Sequence, residues 1–348
     1  MNNCVSSSNK QTNQAPHSYK APIVILGPTG VGKTDLALEL AHKLDGHIIN
    51  ADSAQMYTPL TIGTAKPNYK NSAIVHHCFD IIGEPVHYDV MQYRQKLIDT
   101  VTHVQQRNKV PIIVGGSGFY IKSLLYPPMA ATMPAKMPDL EKVTWDDLHA
   151  IDPVRAAQIH PQDSYRIKRA MEIWYQQGIK PSECKPVFEP WTDMNIVWVT
   201  RDRESLYERI NKRVIAMIDA GWIDEVQQLR NTPWESFLHE KKIIGYDLIL
   251  SACADNGCKE KEQRAHLIEK IQQKTRNYAK AQIIFWKSFK AQIAASLKNY
   301  QGPYRITIKE TSPDYAGLVD PNSSELKDPG LTLATHDLYI NQLLQIYT

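Results

Sequence analysis

Long apolar runs are missing from this 348-residue chain, and their absence excludes a helical membrane protein. No segment approaches the roughly 18 consecutive apolar residues that a membrane-spanning helix needs. The polar stretch 1–20 lacks the apolar centre of a secretory signal peptide, so we expect a disordered tail there and a cytoplasmic protein without a membrane partner. Cysteines are few and irregularly spaced, which favours free thiols over a disulfide framework or a zinc site: Cys4, Cys78, Cys184, Cys253 and Cys258.

The chain does contain a glycine-rich segment directly after an apolar run. Residues 22–26 are largely apolar, residues 27–34 match G-x-x-x-x-G-K-[ST], and the next residues have helical spacing. A strand, a glycine-rich turn and a helix in that order are the context in which a phosphate-binding loop forms, with Lys33 on the terminal phosphate and the Thr34 hydroxyl on magnesium. Backbone N–H groups of the turn and the helix N-terminus bind anionic oxygens. The motif therefore predicts polyphosphate binding by Gly27, Pro28, Thr29, Gly30, Val31, Gly32, Lys33 and Thr34.

Two further turns follow apolar runs. Asp52 comes after residues 47–51, and the run 110–114 leads into a turn that contains Gly115, Gly116 and Gly118. Because the C-terminal ends of parallel strands face the ligand crevice, we expect Asp52 beside the phosphate loop. Asp52 is then a reacting carboxylate, a helix cap or a magnesium ligand. The glycine turn either approaches a ligand closely or allows tight helix–strand packing.

The net charge of +3 is concentrated in two places. From Lys259 to Lys290, nine lysines and arginines face three acids, and Arg166, Lys168 and Arg169 form a second basic cluster. Such runs are either solvated helix faces or contacts to nucleic-acid phosphates. The phosphate loop is already assigned to a polyphosphate, so the presence of two such basic clusters elsewhere favours RNA as a partner.

The order of the patterns predicts an α/β fold, namely a P-loop NTPase-like parallel sheet with an inserted helical lobe and a C-terminal helical segment. Strand character returns at 195–200, and helical spacing predicts helices over Arg203–Arg230 and Gln263–Ala295. The expected organisation is a tail at 1–20, a first core part at 21–125, a helical insert at 126–190, core completion with basic helices at 191–298, and an unassigned tail at 299–348.

A series of motifs, collinear over residues 20 to 290, resembles the tRNA dimethylallyltransferase family. Many P-loop families share the first motif, whereas the remaining set is specific to this one. The motifs are Gly27 to Thr34, Asp52-Ser53-Ala54-Gln55-Met56-Tyr57, Ile62-Gly63-Thr64-Ala65-Lys66-Pro67, His76-His77, Gly115-Gly116-Ser117-Gly118-Phe119-Tyr120, Asp152-Pro153, Ile159-His160-Pro161, Arg169-Ala170-Met171-Glu172, Arg209 to Arg213, Ile244-Gly245-Tyr246 and Thr275 to Lys280.

The resemblance implies transfer of a dimethylallyl group from dimethylallyl diphosphate to the exocyclic N6 of the adenine next to the tRNA anticodon, at position 37, with release of diphosphate. It implies Mg²⁺ as cofactor, tRNA and dimethylallyl diphosphate as partners, and an insert that forms a mobile lobe over the tRNA; we expect a monomer. The implied catalytic residues are Asp52, Thr34 and Arg213, with Asp52 as general base and Arg213 as diphosphate contact. The implied tRNA contacts are Asp52, Ser53, Ala54, Gln55, Ser117, Tyr165, Arg166, Ile167, Lys168, Arg169, Lys242, Gly245, Tyr246, Lys274, Arg276 and Lys280.

The chain departs from the family pattern at several points, and three other functions stay open. An arginine before the insert has no counterpart, Ser117 replaces a threonine, and Asp247 and Ala281 replace basic residues, which weakens the expected attraction to tRNA. A small-molecule kinase would need an arginine-rich lid, but residues 126–145 contain no arginine. An adenylate isopentenyltransferase would not need the basic C-terminal helix. A non-catalytic RNA-binding protein would have no reason to keep Lys33 and Asp52 together.

Overall fold

The computed structural model of the protein describes residues 20–128, 139–252 and 260–312. The tail predicted over 1–20, apart from Lys20, and most of the tail predicted over 299–348 lie outside these residues. The described strands are β1 Ile23–Leu26, β2 Gly46–Asn50, β3 His76–His77, β4 Val110–Gly115, β5 Met194–Val199 and β6 Ile306–Thr311. The described helices are α1 Lys33–Leu44, α2 Val90–Gln106, α3 Gly118–Leu125, α4 Trp145–Ile151, α5 Pro153–Ala156, α6 Ser164–Gln177, α7 Arg203–Asp219, α8 Trp222–Gln227, α9 Pro233–Lys241, α10 Tyr246–Ala252 and α11 Lys261–Leu297.

The strands form one parallel sheet in the order β3-β2-β4-β1-β5-β6, which confirms the predicted α/β class. Every residue of β1, β4 and β5 is buried, because helices cover both faces of the sheet. Successive strand residues point to opposite faces, so Val24 packs in one core cluster with α2, α3 and α11. Ile25 packs in the other cluster with α1 and α7.

Three loops meet at the C-terminal end of the central strands. The loop after β2 is held against the end of β4, since Ala51 N donates to Val114 O at 2.7 Å and Ser117 N donates to Ala51 O at 3.3 Å. A Cβ on Gly115 would lie 2.1 Å from Ala51 O, so only glycine permits this approach. The carboxylate after β2 is therefore placed beside the loop after β1, the position that parallel-strand topology predicts.

The described part of 126–190 contains helices and no strand. Helices α4, α5 and α6 share a small apolar core separate from the sheet, which includes Leu148, Ile159 and Met171. The division of the chain into an insert lobe and a core stays a prediction. No described helix is long and apolar enough to cross a membrane.

One expected helix was wrong, and a segment without an assignment contains a strand. The helix predicted over 203–230 is two helices, because α7 ends at Asp219 and Gly221 adopts a left-handed conformation (φ 98°) before α8 begins. The tail predicted as unassigned contains β6, which pairs in parallel with β5. β6 is an edge strand with exposed and half-buried residues, so it has no continuous apolar run that would have indicated it.

Candidate active site

The glycine-rich segment 27–32 connects the buried end of β1 to the first turn of α1. Gly32 precedes the helix in a left-handed conformation (φ 103°), and no side chain caps the helix N-terminus. The backbone N–H groups of the first helical turn consequently remain available to a ligand. They form the positive end of the helix, which is the geometry of an anion-binding loop.

Lys33 folds back over this loop. Its Nζ donates to Gly27 O at 3.0 Å and to Pro28 O at 2.8 Å. Burial lowers the pKa of Lys33 to about 8, although the Asp52 carboxylate raises it, and Arg213 lowers it further. A bound anion would favour the charged ammonium, so anion binding at this site would be coupled to protonation of Lys33.

Helix α7 adds two guanidinium groups, four residues apart on one face. Arg209 Nε donates to Gly30 O at 3.1 Å, and Arg213 Nη1 donates to Thr29 Oγ1 at 3.4 Å. Burial lowers the pKa of Arg213, and the nearby Asp52 opposes that shift. The phosphate loop therefore faces three cations, Lys33, Arg209 and Arg213, that carry charge at neutral pH.

Asp52 is fixed by a buried neighbour that the sequence did not single out. Asn50, which is 1% exposed, accepts from Asp52 N at 2.9 Å and donates to Asp52 O and to Cys78 O, both at 3.0 Å. One carboxylate oxygen of Asp52, Oδ1, accepts from Ala54 N at 3.0 Å. The N-cap of the short 3₁₀ helix Ala54–Met56 is Ser53, so Asp52 is not the helix cap that was one of the expected alternatives. The second oxygen has no hydrogen bond to the described residues. Asn50 thus orients the backbone of Asp52, and one oxygen is left for chemistry.

The two serines expected to flank a substrate lie side by side. Ser53 N donates to Ser117 Oγ at 2.9 Å, and the two hydroxyl oxygens are 3.3 Å apart. The loop after β2 and the glycine turn after β4 are joined by this contact. Tight packing at Gly115 and substrate contact at Ser117 are therefore both compatible with one turn.

Gln282 of α11 ties the phosphate loop to the glycine turn, and sequence reasoning missed it. Its Oε1 accepts from Thr29 N at 2.8 Å and its Nε2 donates to Gly116 O at 3.0 Å. Gln282 is 6% exposed, so these bonds satisfy buried backbone groups. A buried glutamine on the apolar face of a basic helix was the signal available in the sequence.

Two adjoining cavities share four residues: Thr29, Asp52, Thr64 and Arg213. The larger one, about 680 Å³, is lined by the phosphate loop and includes Lys33 and Thr34. The smaller one, about 340 Å³, has a largely apolar wall built from Ile210, Val214, Met217, Trp222 and Ile244. Asp52 and Arg213 stand where a charged compartment meets an apolar one.

The residues predicted to contact tRNA from the insert lie on α6, with differing exposure. Tyr165 is 77% exposed, whereas Ile167 is 2% exposed and packs in the core of α4, α5 and α6. The Ile167 side chain is not available to RNA, contrary to the prediction. Arg166 pairs with Asp163, and Arg169 with Glu172, three residues away in each case; Lys168 shares this helix.

The predicted C-terminal contacts also divide into exposed and buried residues. Gly245 and Tyr246 are buried, so the Tyr246 side chain is not available to RNA either. Lys242 is exposed beside the smaller cavity, and Lys280 is exposed on α11. Lys274 pairs with Asp247 at 2.7 Å, which explains how this chain accommodates an acid where the family has a basic residue.

Arg276 is held by other side chains. Its guanidinium donates to Asn211 Oδ1 at 2.7 Å and to Glu269 Oε1 at 2.8 Å, and its side chain is 15% exposed. Arg276 therefore links α11 to α7, the helix that carries Arg213. This is a different environment from the exposed phosphate contact that was expected.

Comparison with known proteins identifies the family. The sequence profile described as IPP transferase matches residues 55–289. A tRNA dimethylallyltransferase of Pseudothermotoga lettingae is 34% identical over 309 residues, which make up 83% of this chain and 93% of the relative. The crystal structure of a tRNA delta(2)-isopentenylpyrophosphate transferase from Staphylococcus epidermidis superposes with a TM-score of 0.55 at 26% identity and covers 93% of this chain and 99% of its own. A eukaryotic dimethylallyltransferase, captured acting on tRNA, has the same fold, with a TM-score of 0.68 at 24% identity over 94% of this chain and 80% of its own. The chain belongs to the IPP transferase family.

Proposed function

We propose that this protein transfers the dimethylallyl group of dimethylallyl diphosphate to N6 of adenine 37 in tRNA and releases diphosphate. The observation that carries the proposal is Asp52, which lines both a cationic phosphate cavity and an apolar cavity. A prenyl diphosphate needs this pair of environments, and relatives over most of the chain are named tRNA dimethylallyltransferases.

The diphosphate binds in the larger cavity. Lys33, Arg209 and Arg213 surround the position where negative charge grows as the carbon–oxygen bond breaks, and preorganised cations stabilise that charge most in the transition state. The first-turn N–H groups of α1 add hydrogen bonds to the same oxygens. The leaving group is stabilised without any transfer of phosphate.

The residues present fit a magnesium ion shared with the diphosphate. Thr34 is exposed at the start of α1 and lines the larger cavity together with Asp52. Within 20–128, 139–252 and 260–312, no group of three His, Cys, Asp or Glu residues could hold a metal by itself. Magnesium commonly takes one or two protein oxygens and completes its shell with phosphates and water. The Thr34 hydroxyl would hold it, and when bound it neutralises charge on the diphosphate.

The dimethylallyl group occupies the apolar cavity, with its reacting carbon near Asp52 and Arg213. Ile210, Val214 and Met217 present one face of α7 to this cavity, and Trp222 closes it. An apolar wall disfavours water, which would otherwise compete with the amine for the reacting carbon.

Asp52 acts as general base on the adenine amine. The N6 nitrogen forms a bond to the first carbon of the dimethylallyl group, the bond from that carbon to the diphosphate oxygen breaks, and the N6 proton passes to the second oxygen of Asp52. Asn50 holds the backbone of Asp52, and the Ala54 N–H holds its carboxylate for this step. Ser53, Gln55 and Ser117 flank the adenine, which must leave the anticodon stack at a cost of a few kcal/mol.

The tRNA backbone lies across exposed cations of the insert and of α11. The cations of α6 are Arg166, Lys168 and Arg169, and those of α11 are Lys274 and Lys280. Arg276 does not contact the RNA in this proposal but links α11 to α7 through Asn211. We place the insert at 126–190 over the tRNA and propose a monomer that acts in the cytoplasm. Electrostatic contacts of this kind weaken steeply with salt.

The direct experiment incubates the protein with radiolabelled dimethylallyl diphosphate, Mg²⁺ and unmodified tRNA, followed by nuclease digestion. We expect one labelled nucleoside, N6-dimethylallyladenosine, and release of unlabelled diphosphate. The Lys33→Ala variant serves as the negative control, since it keeps the tRNA surface and loses a diphosphate cation. If the tRNA stayed unlabelled although the dimethylallyl diphosphate was chemically intact, the proposal would be overturned.

A further inference from the structure

One carboxylate outside the two cavities holds the wall between them. Glu225 of α8 accepts four hydrogen bonds: from Thr61 N at 3.0 Å, Ile62 N at 2.6 Å, Gly63 N at 3.2 Å and the Tyr246 hydroxyl at 2.6 Å. Three consecutive backbone N–H groups that converge on one anion form a nest. A carboxylate has about four acceptor sites, so the four donors occupy Glu225 fully.

The segment that Glu225 holds, residues 61–66, will be called the wall loop. Gly63 and Thr64 line the apolar cavity, and Thr64 and Ala65 line the phosphate cavity. Ala65 has a left-handed backbone (φ 49°), a conformation that a non-glycine residue keeps only where its surroundings impose it. The wall loop is therefore held in a fixed shape between the two compartments.

The side chain one turn before Glu225 leaves no room for the wall loop to shift. A Cβ on Gly63 would lie 2.0 Å from Trp222 Nε1, and a Cβ on Gly245 would lie 2.1 Å from the Trp222 ring. The Trp222 side chain of α8 thus packs tightly against both the wall loop and the start of α10. Tyr246 completes the contact as a neutral O–H donor, because burial, and then the charge of Glu225, raise its pKa well above the ordinary value.

The wall loop in turn orients a residue beside the reacting carboxylate. Gln55 Nε2 donates to Thr64 O at 2.9 Å and to Ala65 O at 3.3 Å. Both amide protons are thereby directed to the wall loop, and Gln55, three residues after Asp52, lines the phosphate cavity. The orientation of this amide depends on carbonyls whose own position depends on Glu225.

We propose that Glu225 is a positioning residue for prenyl transfer, which fixes the wall loop and, through it, the amide of Gln55 against the acceptor adenine. The inference rests on the proposed function. Glu225 lines neither cavity, so its effect reaches the reaction through the geometry of the wall loop. A displacement of about 1 Å in a residue that positions the substrate lowers turnover by about 10²-fold, even when the substituted residue lies far from the reacting atoms.

The test compares Glu225→Ala and Glu225→Gln with Asp224→Ala, which changes a neighbouring exposed acid of the same helix. Among the described residues, Asp224 forms no hydrogen bond or ion pair with the wall loop. Unmodified tRNA and dimethylallyl diphosphate are varied separately, and amide hydrogen exchange is followed over residues 60–66. For Glu225→Ala we expect kcat/KM for tRNA to fall about 10²-fold and the wall-loop amides to exchange faster. Because Thr64 and Ala65 also line the phosphate cavity, donor KM should rise, but by much less than the loss in kcat/KM for tRNA. Glu225→Gln keeps one acceptor oxygen, so it should recover part of the loss, and Asp224→Ala should resemble the wild type.

The outcomes separate the two claims. If the wild type labels tRNA and Glu225→Ala does so with equal kcat/KM at a temperature where it is folded, the positioning role is overturned while the proposed function stands. A rise in donor KM as large as the loss in kcat/KM for tRNA would also overturn it, because the wall loop would then act mainly on the donor. If Glu225→Ala fails to fold, the same comparison is made with Glu225→Gln, for which unchanged kcat/KM and unchanged exchange contradict the proposal. A wild type that never labels tRNA overturns the proposed function itself.

Discussion

The Asp52→Asn substitution separates the charge of the reacting carboxylate from its structural contact. The Oδ1 atom of Asp52 accepts from Ala54 N at 3.0 Å, and the asparagine side chain keeps an oxygen that can accept the same bond. Asn50 contacts only the backbone of residue 52, so its two hydrogen bonds also remain. We therefore expect the variant to fold with a Tm close to that of the wild type.

The expected loss in rate is large because the asparagine cannot take the N6 proton. Loss of a positioned general base lowers a rate about 10²–10⁴-fold, which corresponds to about 3 to 5 kcal/mol of transition-state stabilisation. The carboxylate also raises the pKa of Lys33, so the variant should bind the donor over a narrower pH range. The assay is single-turnover labelling of tRNA at saturating donor, which removes product release from the measurement.

A matched control is Asp89→Asn. Asp89 caps α2 by accepting from Met91 N at 2.7 Å and Gln92 N at 2.8 Å, and it lines neither cavity. It reports what the loss of a capping charge does to folding alone, and we expect its labelling rate to match the wild type. If Asp52→Asn labelled tRNA near the wild-type rate, the role of Asp52 would be structural and another group would have to take the proton.

Three further outcomes are expected. Gln282→Ala leaves Thr29 N and Gly116 O without their hydrogen-bond partner, at a cost of about 1–3 kcal/mol each. We therefore expect a lower Tm in thermal unfolding and a higher KM for the donor. An unchanged donor KM would show that the phosphate loop keeps its conformation without Gln282. Donor KM should rise above about pH 8, where Lys33 loses its proton, and Lys33→Arg should remove that rise because arginine stays charged. If Lys33→Arg showed the same dependence of donor KM on pH as the wild type, Lys33 would be excluded as the titrating group. Burial lowers the pKa of His77 to about 4, so between that pH and about 6.5 the unfolded chain binds a proton that the folded protein excludes. The Tm should therefore fall as the pH falls through this range, and His77→Gln should make this fall smaller. A Tm independent of pH would contradict a neutral His77 imidazole in the folded protein.

The parts of the site that sequence could predict are those encoded locally. The phosphate loop occupies eight adjacent positions, and Asp52 follows its strand directly, so strand order alone places the two together. Helical spacing likewise locates α11 to within two residues of its observed ends. Local patterns of this kind survive folding because they form within one turn or one strand end.

The parts that could not be predicted depend on contacts between distant segments. Gln282 meets Thr29 across 253 positions of sequence, and Glu225 meets Gly63 across 162. Each is a polar side chain on a helix, and its hydrogen-bond partners become apparent only when a distant loop packs against that helix. The burial of Ile167 has the same origin, because the basic cluster around it concealed its place on the apolar face of α6.

The central claim is that adenine 37 of tRNA, rather than a free nucleotide, accepts the dimethylallyl group. The most direct measurement presents the protein with radiolabelled dimethylallyl diphosphate and an equimolar mixture of AMP and unmodified tRNA, and repeats it with tRNA in which adenine 37 is replaced by guanine. We expect label to enter tRNA only, at position 37, and the guanine-37 tRNA to stay unlabelled. Labelled AMP with unlabelled tRNA, or equal labelling of the guanine-37 tRNA, would contradict it.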